Sequence, residues 1–173
     1  MNGKALKGGF LKAPLAVPRI TSGFQKNRMH PVDKVVRDHG GTDYGAPEGT
    51  EIFSVADGTV IELGNNPGGN GNFIAVKHDN VYSTKYLHMS KHGEGMQIGT
   101  KVIQGQVIGY VGQTGKATGP HLCFRFRKNG VEVNPLEEVL PSSGTPLPAQ
   151  YQPNFNAFRD SVVRVFAETR TFL

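Results

Sequence analysis

The sequence has almost no cysteine and no long apolar runs, so it has neither disulfides to stabilise the chain nor a helix to anchor it in a membrane. Its 173 residues include one cysteine and no tryptophan. The single cysteine excludes an internal disulfide and leaves the redox compartment undetermined. Apolar runs are only a few residues long, which excludes a membrane-spanning helix. The first residues do not form an apolar secretory leader. We expect that such a leader could have been removed before this N-terminus. A chain of this length buries roughly 70 % of its unfolded surface, so we expect it to fold without crosslinks.

Helical periodicity is missing from the centre of the chain. Glycine (23) and proline (11) make up about a fifth of the residues, against a usual ~12 %. This excess excludes a helix bundle and favours short strands joined by tight turns. Asn129-Gly130 is the strongest turn signal, because Asn-Gly supplies the positive φ of a type I′ hairpin. We predict an antiparallel all-β core, a β-sandwich or open barrel, with strands at 51–55, 59–63, 73–78, 82–88, 107–112, 121–127 and 131–133.

Composition divides the chain into four parts. Residues 1–19 form a basic lead-in interrupted by proline, and residues 20–140 form the dense domain. Residues 141–153 form a proline-rich linker. Residues 154–173 predict an amphipathic helix with Asn154 as its N-cap and apolar residues at helical spacing: Phe155, Phe158, Val162 and Phe166. We expect this stripe to pack on the domain; a partner surface is the alternative.

The charge balance narrows the class of partner. Nineteen basic and fourteen acidic residues give a net charge of +5, and the pI is about 9.4. This balance suits an anionic partner such as nucleic acid, a membrane surface or a cell-wall polymer. The basic residues are dispersed, without a stripe that mixes aromatic and basic side chains, so we expect no nucleic-acid partner.

A histidine and an aspartate lie four positions apart in His39-Gly40-Gly41-Thr42-Asp43. Two consecutive glycines argue against a helix here. In a tight glycine loop the His39 and Asp43 side chains can still converge, and this pair of ligand types suits Zn²⁺. A loop held by a simple hydrogen bond is the alternative.

Two later segments place polar residues on one strand face. Residues 121–127 alternate, so Leu122, Phe124 and Phe126 point into the core. His121 and Cys123 then share the opposite face, which we interpret as a metal-binding or catalytic ledge. Residues 82, 84, 86 and 88 also share one face, and we interpret His88 as the end of a polar ledge outside the core.

The chain resembles the lysostaphin-type (LytM-like) zinc endopeptidases of bacterial cell walls in three motifs, taken in this order and spacing: His39-x-x-x-Asp43, Tyr86-Leu87-His88-Met89-Ser90 and Gly119-Pro120-His121-Leu122-Cys123. Intervening segments match as well, at residues 22–24, 29–32, 43–50, 105–109 and 133–136. The resemblance covers about two-thirds of the chain. One of these motifs alone would be weak, whereas three in sequence are specific.

The resemblance implies a role for each motif residue. His39 and Asp43 would be zinc ligands, and His88 and His121 would be catalytic. The last motif is normally His-x-His, with its second histidine as the third ligand. Cys123 stands at that position, and this departure bears directly on the metal site.

Three interpretations of Cys123 are open. A working zinc site is one, because thiolate is a good zinc ligand. Its negative charge would leave a neutral site, where histidine leaves a single positive charge, and zinc would then acidify water less. Loss of activity with the fold kept is the second. The third is a thiol enzyme with Cys123 as nucleophile and a histidine as its base.

The resemblance implies hydrolysis of peptide cross-links in peptidoglycan, with D-Ala–diaminopimelate bonds as the expected target. We expect the protein to be a monomer that lies in the periplasm or is secreted. We also expect the glycine-rich segment at residues 64–72 to form a mobile loop that lines the substrate groove. A plain long turn is the alternative for that loop. The alternative for the whole domain is a weakened or inactive module that binds cell wall or activates another hydrolase.

Overall fold

The structure is a computed structural model that describes residues 9–29, 36–138 and 149–169. Short strands dominate these ranges, as the glycine and proline content indicates. Their bounds, in chain order, are β1 (Ile20–Ser22), β2 (Gln25–Met29), β3 (Val36–His39), β4 (Thr42–Gly45), β5 (Glu51–Phe53), β6 (Gly58–Asn66), β7 (Gly71–Lys77), β8 (Tyr82–His92), β9 (Lys101–Val102), β10 (Val107–Val111), β11 (His121–Lys128) and β12 (Val131–Val133). A 3₁₀ turn (Ala149–Tyr151) and the helix α1 (Gln152–Thr169) follow.

Most of these strands form one sheet in the order β1-β4-β11-β8-β7-β6-β9. Strand β12 extends it beside β11, β10 joins β8 to β5, and β2 and β3 form a separate hairpin. The described pairs are antiparallel, which confirms the predicted antiparallel all-β class. Asn129 and Gly130 have φ values of 51° and 81° in the turn between β11 and β12, as the sequence predicts.

Strand β11 shows how the sequence builds the core. Leu122, Phe124 and Phe126 are at most 2 % exposed and belong to one apolar cluster with side chains from most of the other strands. Their alternation with the polar residues of β11 is therefore confirmed. This strand lies between β4 and β8 in the sheet, so its other face carries His121 and Cys123 beside both of those strands.

The domain begins earlier than the predicted boundary at residue 20. A compact unit starts at Phe10, and Leu15 is buried in its core. Backbone hydrogen bonds join Leu11 N–H to the Val55 carbonyl, at 2.7 Å, and Phe53 N–H to the Pro14 carbonyl, at 2.9 Å. Residues 10–15 thus pack as part of the domain.

Two local interpretations are wrong. Residues 64–72 are not a long loop, because β6 continues to Asn66 and β7 starts at Gly71, which leaves a tight turn between paired strands. The face of β8 that carries Tyr82, Thr84 and Tyr86 is not a polar ledge. These three side chains are buried, and Tyr86 OH accepts hydrogen bonds from Thr84 Oγ1 and Val55 N–H. Internal hydrogen bonding lets these polar atoms lie in the core.

Helix α1 belongs to a compact unit separate from the one that starts at Phe10. Helix α1 starts at Gln152, inside the predicted linker, so Asn154 lies in its first turn and is not the N-cap. Residues 1–8, 141–148 and 170–173, and the side chains of Val162 and Phe166, lie outside the described part of the structure. The packing of the apolar stripe stays a prediction. Where the chain is described, no helix has the length and apolar character that a membrane span requires.

Candidate metal centre and active site

His39 and Asp43 are placed by the ends of two short strands. Strand β3 ends at His39, two glycines follow, and β4 begins at Thr42. Thr42 and Tyr44 are buried in the core at 0 % and 1 % exposure. Alternation along β4 therefore turns Asp43 to the opposite face. The His39 ring returns toward it, with Nε2 at 3.1 Å from Asp43 Oδ1.

Cys123 reaches the same place through the sheet register. It is the residue directly opposite Asp43 where β11 pairs with β4. One ligand atom from each of His39, Asp43 and Cys123 can be chosen so that all lie within 4.8 Å of one another. The structure thus brings together the three side chains that the sequence analysis assigned to a metal.

Two glycines lie between His39 and Asp43, and Gly41 is the one needed for close approach to β11. A Cβ at Gly41 would lie 2.9 Å from Cys123 Sγ and 2.9 Å from the Phe124 carbonyl oxygen. A Cβ at Gly40 would collide with the Glu132 carboxylate. A side chain at Gly41 would meet the backbone of β11 and push the loop away, whereas the Glu132 carboxylate beside Gly40 ends a flexible side chain that can move. Glycine is therefore required at residue 41.

Hydrogen bonds fix the orientation of the His39 ring. Its Nδ1 lies 2.7 Å from the Gly23 carbonyl oxygen, to which it can only donate. In the neutral ring Nε2 then carries the lone pair and faces the Asp43 carboxylate. Two acceptors at 3.1 Å require a proton or a cation between them. Metal-ligating histidines commonly donate their other N–H to a backbone carbonyl in this way.

The charge states of Asp43 and Cys123 differ sharply. Burial acts to raise the pKa of Asp43, but the hydrogen bond from His39 and the nearby charges of His39 and His121 outweigh it and lower the pKa, so Asp43 is ionised. Burial, together with the Asp43 charge, raises the pKa of Cys123 to about 12. Without a metal the thiol is therefore protonated, and its side chain is buried. A buried neutral thiol does not favour the thiol-nucleophile interpretation.

His88 owes its orientation to an irregularity in β8. Its φ is 64°, in the left-handed region. Asn72 pairs with Met89 and Ile74 with Tyr86, so β8 contains one residue more than β7 between these pairs. Such a bulge re-aims a side chain. Strict alternation therefore fails at His88. This histidine does not share the face of Tyr82, Thr84 and Tyr86 that the alternation predicts for it, and its ring instead lies beside His121.

His88 and His121 are held in matching orientations. His88 Nδ1 lies 2.8 Å from the Thr114 carbonyl oxygen, and His121 Nδ1 lies 2.8 Å from the Gly119 carbonyl oxygen. Each ring thus donates through Nδ1 and presents Nε2 as a base. The ring centroids are 4.9 Å apart, and His121 Nε2 is 4.0 Å from Asp43 Oδ1. Burial lowers the pKa of His88, which favours the neutral ring at pH 7.

The carbonyl group that accepts the hydrogen bond from His88 is held in place by Thr114 and Asn72, which the sequence analysis did not identify. Thr114 Oγ1 donates to the Met89 carbonyl, at 2.7 Å, and accepts from Asn72 N–H, at 2.9 Å. The Asn72 side chain donates to the Met89 and Ser90 carbonyls. These bonds tie the turn that carries the Thr114 carbonyl to β7 and β8. No strand or helix periodicity in the sequence identifies Thr114. The only signal is that it lies in a glycine-rich segment, which is typical of close backbone contacts.

The donor set fits a divalent transition metal. An imidazole nitrogen, a carboxylate oxygen and a sulfur are the ligand types that zinc takes in proteins. Three protein ligands leave a fourth position of a tetrahedral site open, as in catalytic zinc sites. The bases of His88 and His121 lie beside the cluster. Fold and site together define an antiparallel-β protein with a candidate metal centre flanked by two histidines.

The family comparison identifies the kind of protein that has this fold and site. Residues 37–135 match the family described as Peptidase family M23. This match covers more than half of the chain and includes the three candidate ligands and both histidines. The chain belongs to this family.

Individual relatives extend the comparison. The chain is 44 % identical over 142 residues to a protein from Vibrio cholerae named peptidoglycan DD-endopeptidase ShyC. The aligned region covers 82 % of this chain and 32 % of the relative. A zinc containing peptidase of Vibrio cholerae matches with a TM-score of 0.72 and 38 % identity, over 79 % of this chain and 42 % of that structure. The lysostaphin catalytic domain of Staphylococcus simulans matches with a TM-score of 0.59 and 27 % identity, over 69 % of this chain and 90 % of that domain. The chain spans about a third of the length of the curated relatives that it matches.

Proposed function

We propose that this chain is a zinc-dependent endopeptidase domain that hydrolyses peptide cross-links in peptidoglycan. The observation that carries the proposal is the convergence of His39, Asp43 and Cys123 beside His88 and His121. Membership of Peptidase family M23 and relatives named peptidoglycan DD-endopeptidases support the same activity.

His39, Asp43 and Cys123 would hold the zinc ion. When bound, zinc supplies Lewis-acid chemistry, polarising a carbonyl oxygen and lowering the pKa of water. The Gly23 carbonyl keeps the His39 Nε2 lone pair available for ligation. Because the Cys123 thiol is protonated in the free protein, it gives up one proton when it binds a metal.

His88 and His121 would carry the proton transfers. Both rings are anchored through Nδ1, so both can accept a proton at Nε2 and later return it to the leaving amine. The lowered pKa of His88 suits it to the role of base at neutral pH. His121, with Nε2 4.0 Å from Asp43 Oδ1, is placed to donate to the oxyanion once protonated.

The proposed substrate is the D-Ala–diaminopimelate cross-link. The name DD-endopeptidase of the relatives supports a bond between D-centres as the target. The net charge of +5 suits an anionic wall. Since peptidoglycan lies outside the cytoplasmic membrane, the cell envelope is the proposed location.

The activity can be tested on isolated cell walls. Purified zinc-loaded protein should release cross-link fragments from diaminopimelate-type walls, with new D-Ala carboxylates and diaminopimelate amines identified by mass spectrometry. A chelator should abolish release and added zinc should restore it. Release that persists through chelation would contradict the zinc mechanism, and intact walls with fully zinc-loaded protein would contradict the peptidase function.

A module that binds cell wall or activates another hydrolase is the second candidate. Cys123 favours it, because a buried, neutral thiol stands where the family pattern has a third ligand histidine. Wall binding without cleavage by the zinc-loaded protein would support this candidate. Increased cleavage when a separate wall hydrolase is added would identify it as an activator.

A further inference from the structure

Arg125 lies beside the cysteine of the candidate metal centre. It follows Cys123 by two residues on β11, so both side chains leave the same face of the strand. On this face Arg125 is the next side chain after Cys123 along β11. The missing Cβ of Gly41 would lie 2.9 Å from Cys123 Sγ and 3.2 Å from Arg125 Cγ. The two side chains therefore cover the same glycine.

A carboxylate holds Arg125 from its other side. Arg125 Nη1 donates to Glu132 Oε1 at 3.0 Å, and Arg127 Nη2 donates to the same oxygen at 3.1 Å. Two guanidinium groups share one carboxylate, so the cluster keeps a net positive charge. Glu132 lies on β12, which pairs with β11. The ion pairs of Arg125 and Arg127 with Glu132 therefore join two strands of the sheet.

We propose that Arg125 is a positioning residue for a Cys123 thiolate ligand. It would donate a hydrogen bond to the sulfur and balance the negative charge that a thiolate adds where histidine adds none. This inference rests on the proposed metal site. It extends that proposal by naming the residue that would stabilise the negative charge of a cysteine ligand at position 123. Residues that orient metal ligands from outside typically change metal affinity 10–100-fold when they are removed.

Arg127 provides a matched control. Its side chain is 33 % exposed against 31 % for Arg125. It donates to the same Glu132 oxygen, and each of the two arginines has a buried Nε without a hydrogen-bond partner. Only Arg125 lies next to Cys123. A role confined to the ion pair with Glu132 would make Arg125→Gln and Arg127→Gln equivalent, whereas a role at the sulfur separates them.

The experiment measures metal binding by the full chain, with zinc and with cobalt as a spectroscopic substitute. Arg125→Gln should weaken zinc binding by about tenfold or more in competition with a chelator. It should also move the thiolate-to-cobalt charge-transfer band to longer wavelength, because the sulfur loses a hydrogen bond. Arg127→Gln should leave both properties unchanged. Arg125→Lys keeps the charge and should recover most of the affinity, which covers the case in which Arg125→Gln folds poorly.

A second background tests the charge argument. In Cys123→His the ligand carries no negative charge, so adding Arg125→Gln should not weaken zinc binding further. Equal zinc affinities and equal band positions for Arg125→Gln and Arg127→Gln, in a parent that shows the thiolate band, would overturn the role of Arg125 alone. A parent that binds cobalt without a thiolate band, or binds no metal, would overturn this proposal together with the Cys123 ligand assignment.

Discussion

Asp43 and Cys123 face each other as direct partners across the antiparallel pair of β4 and β11. Backbone hydrogen bonds along the ladder thus set the separation of these two candidate ligands. Asp43 therefore stays beside position 123 whichever residue occupies it. His39 ends β3 and reaches this pair across Gly40 and Gly41.

Replacement of His88 tests its role as a base. His88→Ala should lower the rate of wall hydrolysis by about 10²–10⁴-fold with the zinc content unchanged. Burial lowers the pKa of His88 below its ordinary 6.5, so the base form persists and the parent should lose activity only on acidification below that value. His92→Ala is the control, because His92 is the last residue of β8 and its Nε2 donates to the Phe73 carbonyl instead of facing His121. Equal activity in the two variants would contradict the assignment.

Gly41 should tolerate no side chain. Gly41→Ala places a Cβ at 2.9 Å from Cys123 Sγ and from a backbone oxygen. We expect a loss of about 1–3 kcal/mol in the free energy of unfolding and weaker zinc binding. Gly23→Ala is the control, since a Cβ there meets nothing within 4 Å, and its unfolding free energy should change by less than about 1 kcal/mol. Urea unfolding of the two variants compares them directly, and a stable Gly41→Ala with parental zinc affinity would show that the loop has room.

Metal affinity should depend on pH through Cys123. The pKa of this thiol is raised to about 12, so it is protonated at neutral pH and must release its proton to bind as a thiolate. Zinc affinity should then rise about tenfold for each pH unit between about pH 7 and 9. In Cys123→His the ligand is already deprotonated above its ordinary pKa, so the slope should be about one unit smaller. Identical slopes in chelator competition would show that no thiol proton is displaced.

Replacing Cys123 separates the three interpretations of this residue. Cys123→His restores a single positive charge to the zinc-loaded site, so hydrolysis of cell walls at neutral pH should rise. Cys123→Ala should lose metal and activity together. Rates on isolated walls, with and without chelator, measure both effects. A thiol enzyme would behave in the opposite way, with Cys123→His inactive and no effect of chelator.

The sequence predicted regular features well and irregular ones poorly. The alternation of Leu122, Phe124 and Phe126 fixes the core face of β11 because strand periodicity has no exceptions there. His88 escaped this logic because a bulge with a left-handed residue interrupts the alternation. Strands β1 to β4 were not predicted, whereas the equally short β12 was, because the Asn129-Gly130 turn marks its start.

Contacts between distant segments were also beyond the sequence. The hydrogen bond between Thr114 and Asn72 joins residues 42 positions apart, and no local pattern encodes it. The partnership of Asp43 and Cys123 depends on the register of two strands. Motif order suggested that these two residues meet, but only the folded sheet supplies the reason.

The central claim is that the metal centre of this peptidase domain includes the Cys123 sulfur. Zinc K-edge X-ray absorption of the loaded protein tests it most directly. We predict one sulfur ligand at about 2.3 Å, with nitrogen and oxygen ligands at about 2.0–2.2 Å. The sulfur contribution should disappear in Cys123→His. A parent spectrum with nitrogen and oxygen ligands alone, or a protein that retains no zinc, would contradict the claim.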